Sequence, residues 1–480
     1  MRKIRGKIYG KILPGLICFL SINAFAQVSR NLEGRWKGII HAGSDIRVYF
    51  NFHKDSTGQW VISMDSPDQG VMGIPCSNML SQNDSLSIDV PTAGAKYKGK
   101  WVSDSSINGK WIQGLSIPLN LKRNIESVIL SRPQTPKPPF PYASEDVEYD
   151  NRNKTLHYGA TLTTPPGNGP FPAVVMITGS GAQNRDEELL GHKPFAVIAD
   201  YLSRKGVMVL RVDDRGIGKS SGSFDSSNSS DFARDVNTSV DYLKTIPKVD
   251  LKKIGLIGHS EGGMIAPMVA SQRNDIDFII LLAGPGEKII KLMEEQSAAL
   301  LQSSGINKDE ISSYSRFYPI MVHSTIDAKD DAEARQQLTA ALEEWKKSTP
   351  KNHVLATTGI SNDSTQYKFV EGTTQVMRKP WFMYFMQFDP TPYLEGLSCK
   401  VLALNGEKDL QVLPDPNLQG IEAALKKSKS KLFEVHKIPG LNHLFQDCKK
   451  CTIQEYGQLE ETFSPVALDM MGTWINKNVK

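Results

Sequence analysis

Five apolar runs of strand length constrain the fold of the second half of the chain. The runs cover residues 173–177, 207–212, 254–257, 278–282 and 401–404. None of them alternates apolar with polar side chains, which is typical of strands buried on both faces of a sheet. Helical patterns separate them, including one that begins at Asp231, which we interpret as its N-cap. This order of strands and helices predicts a mostly parallel α/β sheet.

The preceding part of the chain has a different pattern, with a period of two residues. From residue 32 to about residue 123, short runs such as Val48, Phe50 and Phe52 alternate with more polar neighbours. Alternating strands separated by Gly, Asn and Asp predict an antiparallel sheet that closes as a small barrel or sandwich. We expect this β domain to cover residues 27–130.

Two further segments divide the rest of the chain. Residues 131–143 are rich in proline and predict a semi-rigid linker, so that residues 144–480 form the α/β domain. Within that domain the strand pattern stops at about residues 286–395. Helical patterns at residues 289–301 and 331–347 indicate a helical insertion there, which we interpret as a lid.

The first 26 residues have the pattern of a secretory signal peptide. Five basic residues lie among the first eleven, and a short apolar run ends in Ala24-Phe25-Ala26. The run is too short to favour the alternative, a membrane anchor. Loss of residues 1–26 leaves 51 basic against 52 acidic residues, so the formal net charge changes from +4 to −1. We expect an exported protein, periplasmic or secreted, with no membrane span after cleavage.

The cysteines predict one local crosslink. Cys448 and Cys451 have the C-x-x-C spacing of half a zinc site or a redox pair. A tetrahedral zinc site needs a second ligand pair, and the sequence offers no matching one. In an oxidising compartment a disulfide is the expected state, with two free thiols as the alternative.

Residues 258–262, with the sequence Gly-His-Ser-Glu-Gly, are the most informative stretch for chemistry. They lie between a predicted buried strand and an apolar helix. In this context G-x-S-x-G predicts a sharp turn that exposes the hydroxyl of Ser260 as a nucleophile. A side chain at Gly258 or Gly262 would clash in such a turn. His259 lies inside the turn and is expected to point away from Ser260.

A nucleophilic serine needs a base, and the base needs an acid that orients it, in the chain order serine, acid, histidine. Two histidines lie near the C-terminus. His436 falls within a strand pattern, whereas His443 follows that strand on a loop, so we predict His443 as the base. Asp409, in the loop after the preceding strand, is the predicted acid, with Glu407 as the alternative and Asp415 less favoured.

Two main-chain amides are predicted to form the oxyanion hole. One belongs to Glu261, directly after the nucleophile, and the other to Ser180, in the turn after the first central strand, with Gly181 next. This chemistry needs no metal and no cofactor. Residues 216–220 resemble the end of a P-loop, but Asp213 stands at the position where the first glycine of that motif is required, so a nucleotide site is not expected. No stripe of basic and aromatic residues indicates nucleic-acid binding.

Taken together, these residues resemble the α/β-hydrolase superfamily, and more narrowly its exported two-domain EstD-like esterases. The resemblance extends over nearly the whole chain after the signal peptide and rests on residues 64–70, 178–187, 213–216, 258–263, 406–409 and 442–443. It departs at Ala182 and Asn184, where Pro and Asp are expected. It implies an α/β-hydrolase fold, a Ser260–Asp409–His443 triad and hydrolysis of short carboxylic esters by a serine carboxylesterase.

Other functions remain open at this point. The superfamily includes serine aminopeptidases, so a peptidase or a thioesterase of the same fold is the main alternative. From another class, the β domain could hold a ligand beside a catalytically inert hydrolase domain. The expected partner is a small-molecule ester, and a homodimer is a further expectation. We expect the β domain to pack over the mouth of the active site or to support a dimer.

Overall fold

The computed structural model describes residues 31–42, 44–55, 58–69, 71–82, 84–124 and 131–480. The predicted signal peptide, residues 1–26, lies outside the described residues. None of the helices in the described ranges combines the length and the apolar character that crossing a bilayer requires.

Ten antiparallel strands form one sheet in the N-terminal region. They are β1 (Gly34–Ala42), β2 (Ser44–Lys54), β3 (Trp60–Ser66), β4 (Val71–Pro75), β5 (Ser77–Gln82), β6 (Ser85–Val90), β7 (Ala95–Ser103), β8 (Ser106–Gln113), β9 (Leu115–Pro118) and β10 (Leu121–Asn124). The hydrogen-bonded order is β4-β3-β2-β1-β10-β8-β7-β6-β5, with β9 beside β8. The sheet is nearly closed around one core, as the barrel or sandwich prediction requires. Val48, Phe50 and Phe52 lie in this core, whereas Tyr49 between them is buried outside it, under the guanidinium of Arg35.

One end of the β domain contacts the α/β domain. The short turn that begins at Pro67 packs against the 3-10 helix Ile453–Gln458. A Cβ atom at Gly457 would lie 2.8 Å from the carbonyl oxygen of Pro67, so only glycine permits this approach. Asp68 stabilises the turn, because its carboxylate accepts hydrogen bonds from the main-chain amide and the Nε of Arg47 at 2.6 and 2.9 Å.

The proline-rich segment after the β domain is bound to the α/β domain. The guanidinium of Arg132 donates hydrogen bonds of 2.8–2.9 Å to three main-chain carbonyls, those of Leu190, Gly457 and Leu459. The side-chain amide of Gln134 donates to the carbonyl of Phe463 at 2.7 Å. Side-chain contacts to the neighbouring domain, and not proline alone, therefore determine the course of this segment.

Eight strands form the second sheet, β11 (Ala143–Asp150), β12 (His157–Thr164), β13 (Phe171–Ile177), β14 (Met208–Val212), β15 (Val249–His259), β16 (Phe278–Leu282), β17 (Lys400–Gly406) and β18 (Phe433–Ile438). Their order is β11-β12-β14-β13-β15-β16-β17-β18, and only β12 runs antiparallel to its neighbours. The five apolar runs lie in β13–β17, so the prediction of a mostly parallel sheet is confirmed. β11 and β12 were not predicted, because their sequences are too polar to form an apolar run.

Helices cover both faces of this sheet. They are α1 (Pro194–Arg204), α2 (Ser229–Leu243), α3 (Glu261–Ala270), α4 (Ile289–Ser303), α5 (Lys308–Ile326), α6 (Asp331–Ser348), α7 (Lys351–Thr358), α8 (Asp363–Met377), α9 (Pro380–Met386), α10 (Thr391–Glu395), α11 (Pro414–Leu425) and α12 (Pro465–Asn478). α1 and α12 pack on one face, and α2, α3 and α11 pack on the other.

The prediction that Asp231 is the N-cap of α2 is wrong. Asn228 has the extended backbone of a cap, and its side chain accepts from the amides of Ser230 and Asp231. Asp231 completes the capping box, because its carboxylate accepts from the main-chain amide of Asn228 at 3.0 Å. Asn and Asp are both common N-cap residues, so the residue type does not show which of the two is the N-cap. The extended backbone of Asn228 does.

An insertion of seven helices, α4–α10, separates β16 from β17. Its helices α4 and α6 lie where helical patterns were predicted at residues 289–301 and 331–347. The aromatic residues near Trp381 form α9, which packs against α2, α4 and α8. α9 thereby lies close to the carboxyl ends of the central strands.

Candidate active site

The turn at Ser260 joins β15 to α3 within a single residue. Ser260 has φ 52° and ψ −116°, a conformation that a residue with a Cβ atom adopts only under constraint. Its main-chain amide donates a 2.8 Å hydrogen bond to the carbonyl of Leu282 on the neighbouring strand. The predicted sharp strand-to-helix turn is therefore present.

The glycines on either side of Ser260 are required by close main-chain packing. A Cβ atom at Gly258 would lie 2.0 Å from the carbonyl oxygen of Gly262. A Cβ atom at Gly262 would lie 2.1 Å from the carbonyl oxygen of Ile177 at the end of β13. The clash expected at both glycines is confirmed, and it involves main-chain atoms that cannot move aside easily.

His443 and Asp409 form a buried pair on neighbouring loops. Nδ1 of His443 lies 2.8 Å from Oδ2 of Asp409, and the two residues are 4% and 2% exposed. The other oxygen, Oδ1, accepts hydrogen bonds from the amides of Gln411 and Val412 at 2.7 and 2.9 Å. One carboxylate therefore shapes its own loop and orients the imidazole ring.

The alternative residues lie elsewhere. The exposed carboxylate of Glu407 accepts from the amide of Gly440, which lowers the pKa of Glu407, with Lys408 adding to the effect. Asp415 forms a surface ion pair with Lys437. His436 lies on β18 and contacts the carboxylate of Glu434. None of these side chains has a hydrogen bond to Ser260, Asp409 or His443 in the described part of the chain.

Ser260 and His443 line one cavity of about 240 Å³. Its other lining residues include Ser180, Glu261, Leu292, Met293, Trp381, Phe385, Gln411 and Val412. The helical insertion contributes Leu292, Met293, Trp381 and Phe385 to this lining. Among the described residues, no side chain of the β domain lines the cavity, so the contact of the β domain at Gly457 lies outside it.

Two main-chain amides beside Ser260 are available to a ligand. The main-chain amides of Ser180 and Glu261 form no hydrogen bond within the described ranges, and both residues line the cavity. By contrast, the amide of Gly179 already donates to Oε1 of Glu187 at 2.8 Å. The two free amides are those predicted for the oxyanion hole, and Gly181 does not line the cavity.

The side chain of Glu261 connects the turn to the helical insertion. Its carboxylate accepts from the Nε1 of Trp381 at 2.9 and 3.0 Å and from the hydroxyl of Ser229 at 2.6 Å. Burial raises the pKa of Glu261 above its ordinary range, although these hydrogen bonds oppose the shift. The indole of Trp381 is thereby fixed over the cavity beside Ser260.

Several residues at this site were not predicted to contribute. The ring of His259 contacts Glu187 and the carbonyl of His443, and His259 also lines the cavity. Asp214 accepts hydrogen bonds from the hydroxyl of Thr178 and the amide of Gln183. Burial raises the pKa of Asp214 to about 7. The stretches 178–187 and 213–216 carry the resemblance to known esterases, but no local pattern indicates these contacts.

One group of potential metal ligands comes together among the described residues, namely Cys448, Cys451 and Glu455. The two sulfur atoms form a disulfide, as predicted, and a disulfide offers no thiolate to a metal. The carboxylate of Glu455 accepts hydrogen bonds from the amides of residues 449–451. This group therefore stabilises a tight turn in the segment after His443.

The sheet and the turn together define a class of protein. An open sheet in which only the second strand is antiparallel, with a constrained serine between the fifth strand and the following helix, is the α/β-hydrolase fold. The α/β domain of this chain therefore has that fold.

Comparison with known proteins identifies particular relatives. The sequence model of the family described as serine aminopeptidase, S33, matches residues 193–330. Esterase EstD of Thermotoga maritima is 34% identical over 145 residues, which are 30% of this chain and 34% of that protein. The chain thus spans about a third of the length of the curated relative that it matches.

Two solved structures illustrate the structural similarity. The esterase Pf2001 of Pyrococcus furiosus aligns over 71% of this chain and 92% of that chain, with a TM-score of 0.41 and 16% identity. The α/β hydrolase GrgF from Penicillium sp. sh18 aligns over 70% of this chain and 99% of that chain, with a TM-score of 0.42 and 17% identity.

Proposed function

We propose that the protein is a serine hydrolase that cleaves carboxylic esters through an acyl-enzyme on Ser260. One observation carries the proposal. The constrained Ser260 shares a cavity with His443, whose ring is bound to a buried carboxylate, and two unpaired amides lie beside the serine. This arrangement provides a nucleophile, a base, an orienting acid and donors for an oxyanion.

In the proposed mechanism, Oγ of Ser260 attacks the ester carbonyl while Nε2 of neutral His443 accepts its proton. Asp409 holds the ring in the tautomer that leaves Nε2 free, and stabilises the imidazolium that forms. The amides of Ser180 and Glu261 donate to the tetrahedral oxyanion. The imidazolium then protonates the leaving alcohol. A water molecule, deprotonated by His443, attacks the acyl-enzyme and releases the carboxylic acid and Ser260.

The size and lining of the cavity support the proposal that the substrates are esters of short acyl groups. Its volume is about 240 Å³, and Leu292, Met293 and Phe385 give one wall an apolar surface. Trp381 is fixed in place by Glu261, so this wall is ordered before a substrate binds. An acetyl or butyryl group fits such a space, whereas a long chain would have to displace the helical insertion.

Peptidase activity is the second candidate, because the matched family is described as a serine aminopeptidase. An aminopeptidase needs a carboxylate free to bind the ammonium group of its substrate. The carboxylates that line this cavity already accept hydrogen bonds, that of Glu261 from Trp381 and that of Glu187 from Gly179. Ester, aminoacyl and acyl-CoA substrates assayed side by side discriminate between these activities, and we expect the esters to be preferred.

Replacement of the nucleophile tests the proposal. Ser260→Ala should abolish hydrolysis of p-nitrophenyl acetate and butyrate, and it should prevent labelling by a fluorophosphonate probe. Ser271→Ala is a matched control, because Ser271 lies at the other end of α3 and its hydroxyl donates to the carbonyl of Met268 within the same helix. Unchanged turnover in the Ser260→Ala protein would exclude the proposed mechanism, and an unlabelled wild-type protein would favour an inert ligand-binding domain.

We also propose that the protein is exported, on the pattern of its first 26 residues. The disulfide between Cys448 and Cys451 supports an oxidising compartment. N-terminal sequencing of the protein recovered from the periplasm or the medium should find a chain that begins at Gln27. Recovery of the full-length chain in the membrane fraction would instead indicate an uncleaved anchor.

A further inference from the structure

Beneath the proposed catalytic residues, a buried chain of hydrogen bonds connects two loops of the site. Oε1 of Glu187 lies 2.9 Å from Nδ1 of His259, and Nε2 of His259 lies 3.0 Å from the main-chain carbonyl oxygen of His443. The same Oε1 accepts the amide hydrogen of Gly179 at 2.8 Å. Glu187 and His259 are 5% and 6% exposed. The chain therefore extends from the oxyanion turn to the loop of the base.

The acceptors on both sides of the ring define its protonation state. A carbonyl oxygen cannot donate, so Nε2 of His259 must carry a hydrogen atom. Nδ1 of His259 faces Oε1 of Glu187, a carboxylate oxygen that already accepts a hydrogen bond from the amide of Gly179. Nδ1 therefore also acts as a donor. Burial alone would lower the pKa of His259, but the charge and hydrogen bond of Glu187 raise it above its ordinary value. A ring with hydrogen on both nitrogens is an imidazolium.

We propose that Glu187 and His259 form a buried carboxylate–imidazolium pair that positions the oxyanion turn and the loop of His443 relative to each other. The inference rests on the proposed function of Ser260 and His443, and it assigns Glu187 and His259 as positioning residues. Neither has a reacting atom in the mechanism. The pair acts on the main chain of His443 and on the turn that contains Ser180.

Two further observations support a positioning role. Glu187 has φ 51°, a left-handed conformation that is unfavourable for a residue with a Cβ atom. Such a conformation persists only where contacts with the surrounding structure stabilise it. At Gly179, the Oε1 of Glu187 and the Cβ of Ser260 both lie 3.3 Å from the position of an added Cβ atom. The carboxylate, the oxyanion turn and the nucleophile are therefore packed in direct contact.

The charge of the pair also affects the base. The ring centroids of His259 and His443 lie 4.9 Å apart, a distance at which charges interact strongly inside a protein. The other titratable groups around the two rings are Asp409 on the acid loop, Tyr456 on the 3-10 helix, Asp214 after β14 and Glu261 on α3. Loss of the imidazolium charge alone would leave the negative charge of Glu187 unbalanced and favour protonation of His443.

The test compares His259→Gln with the double variant Glu187→Gln/His259→Gln. In His259→Gln we expect kcat to fall about 10²-fold with little change in KM, because the loops lose their alignment. The acidic limb of the kcat/KM profile should move to higher pH by about one unit, because a positive charge has been removed. In the double variant the pair is removed as a neutral unit, so the limb should return to the wild-type position while kcat stays low.

His436 and Glu434 supply a matched control, because they form a half-exposed histidine–carboxylate contact on β18, in the same domain. His436→Gln and the double variant Glu434→Gln/His436→Gln should retain the wild-type kcat and pH profile. Labelling with a fluorophosphonate counts the folded active sites in each preparation. A variant that folds poorly then lowers the number of sites and not the kcat per site.

The protonation state of His259 can also be measured directly in the wild-type protein, without any variant. In protein labelled with ¹⁵N-histidine, both ring nitrogens of His259 should still carry hydrogen at about pH 7.5, about one unit above the pKa of an ordinary imidazole. A neutral His259 ring, or an acidic limb that stays in place in His259→Gln, would overturn the inference. Activity that survives in Ser260→Ala would instead refute the proposed function, so the two failures are distinguishable.

Discussion

The two sheets of the molecule bury their polar side chains in different places. In the described part of the β domain, the buried polar residues are Asp65, Ser66 and Asp68, all at the end that meets the α/β domain. In the α/β domain they are spread more widely, and one group, which includes Glu187, His259, Asp409 and His443, lies at the carboxyl ends of the central strands or on the loops beside them. The first group supports an interface between domains, and the second supports the proposed active site.

The difference follows from the way each sheet is built. A nearly closed antiparallel sheet directs alternate side chains into one core, which the β domain fills with residues such as Trp36 and Tyr97. An open parallel sheet brings the loops that follow several strands to the same edge, where their polar groups can meet. Chemistry therefore concentrates in the α/β domain, and changes there should affect activity much more than changes at the contact between the domains.

Apart from loss of Ser260 itself, the largest effect on activity is expected at Asp409. Asp409→Asn should lower kcat about 10⁴-fold, because an asparagine amide favours the wrong tautomer of His443 and no longer stabilises its imidazolium. Glu407→Gln, two residues earlier, should leave kcat within about twofold, a change of well under 1 kcal/mol. Steady-state hydrolysis of p-nitrophenyl butyrate measures both variants. Equal losses in the two would show that the acid had been assigned to the wrong residue.

The largest effect on stability is expected at Gly262. Gly262→Ala places a methyl group against the carbonyl of Ile177, which should lower the free energy of unfolding by about 3 kcal/mol or more. Gly372→Ala is the control, because an added Cβ in α8 meets open space and should stabilise the protein by about 0.5–1 kcal/mol. Denaturant titration measures both. A stable, active Gly262→Ala protein would contradict the account of the turn.

Asp214 should make stability depend on pH. Its pKa rises from 3.8 in an unfolded chain to about 7 in the folded protein, so the folded state binds this proton more tightly. The free energy of unfolding should therefore fall as the pH rises from about 4 to about 7, by on the order of 3 kcal/mol from this group. Asp214→Asn should flatten that slope in denaturant titrations at several pH values. An unchanged slope would contradict the burial of this carboxyl group.

The smallest effect on activity is expected at Arg132, at the contact between the domains. Arg132→Ala leaves three main-chain carbonyls without their donor, which should cost about 1–3 kcal/mol of stability. We expect kcat/KM to stay within about threefold of wild type, less than 1 kcal/mol, because no atom of Arg132 lines the cavity. Lys137→Ala, at an exposed position of the same segment, is the control. A large loss of kcat/KM would show that this contact also shapes the active site.

Strong local constraints made part of the molecule predictable. The apolar runs within β13–β17 were predictable because burial on both faces restricts those stretches of a strand to apolar residues. The turn at Ser260 was predictable because main-chain packing excludes every side chain at Gly258 and Gly262. β11 and β12 were not predictable, since their polar residues leave no pattern that distinguishes them from a loop. The hydrogen bonds of Arg132 were not predictable either, because its three acceptors lie on segments that are distant in sequence.

The sequence by itself therefore determined the two kinds of sheet, the sharp turn at Ser260 and the loops that carry the proposed acid and base. Only the tertiary structure decided that Asp409 and not Glu407 meets His443, that Trp381 binds Glu261, and that Glu187 pairs with His259. The physical reason is the range of the interaction. Periodicity and turn chemistry act between neighbours in the chain, whereas these hydrogen bonds join residues between 34 and 120 positions apart, which folding alone brings together.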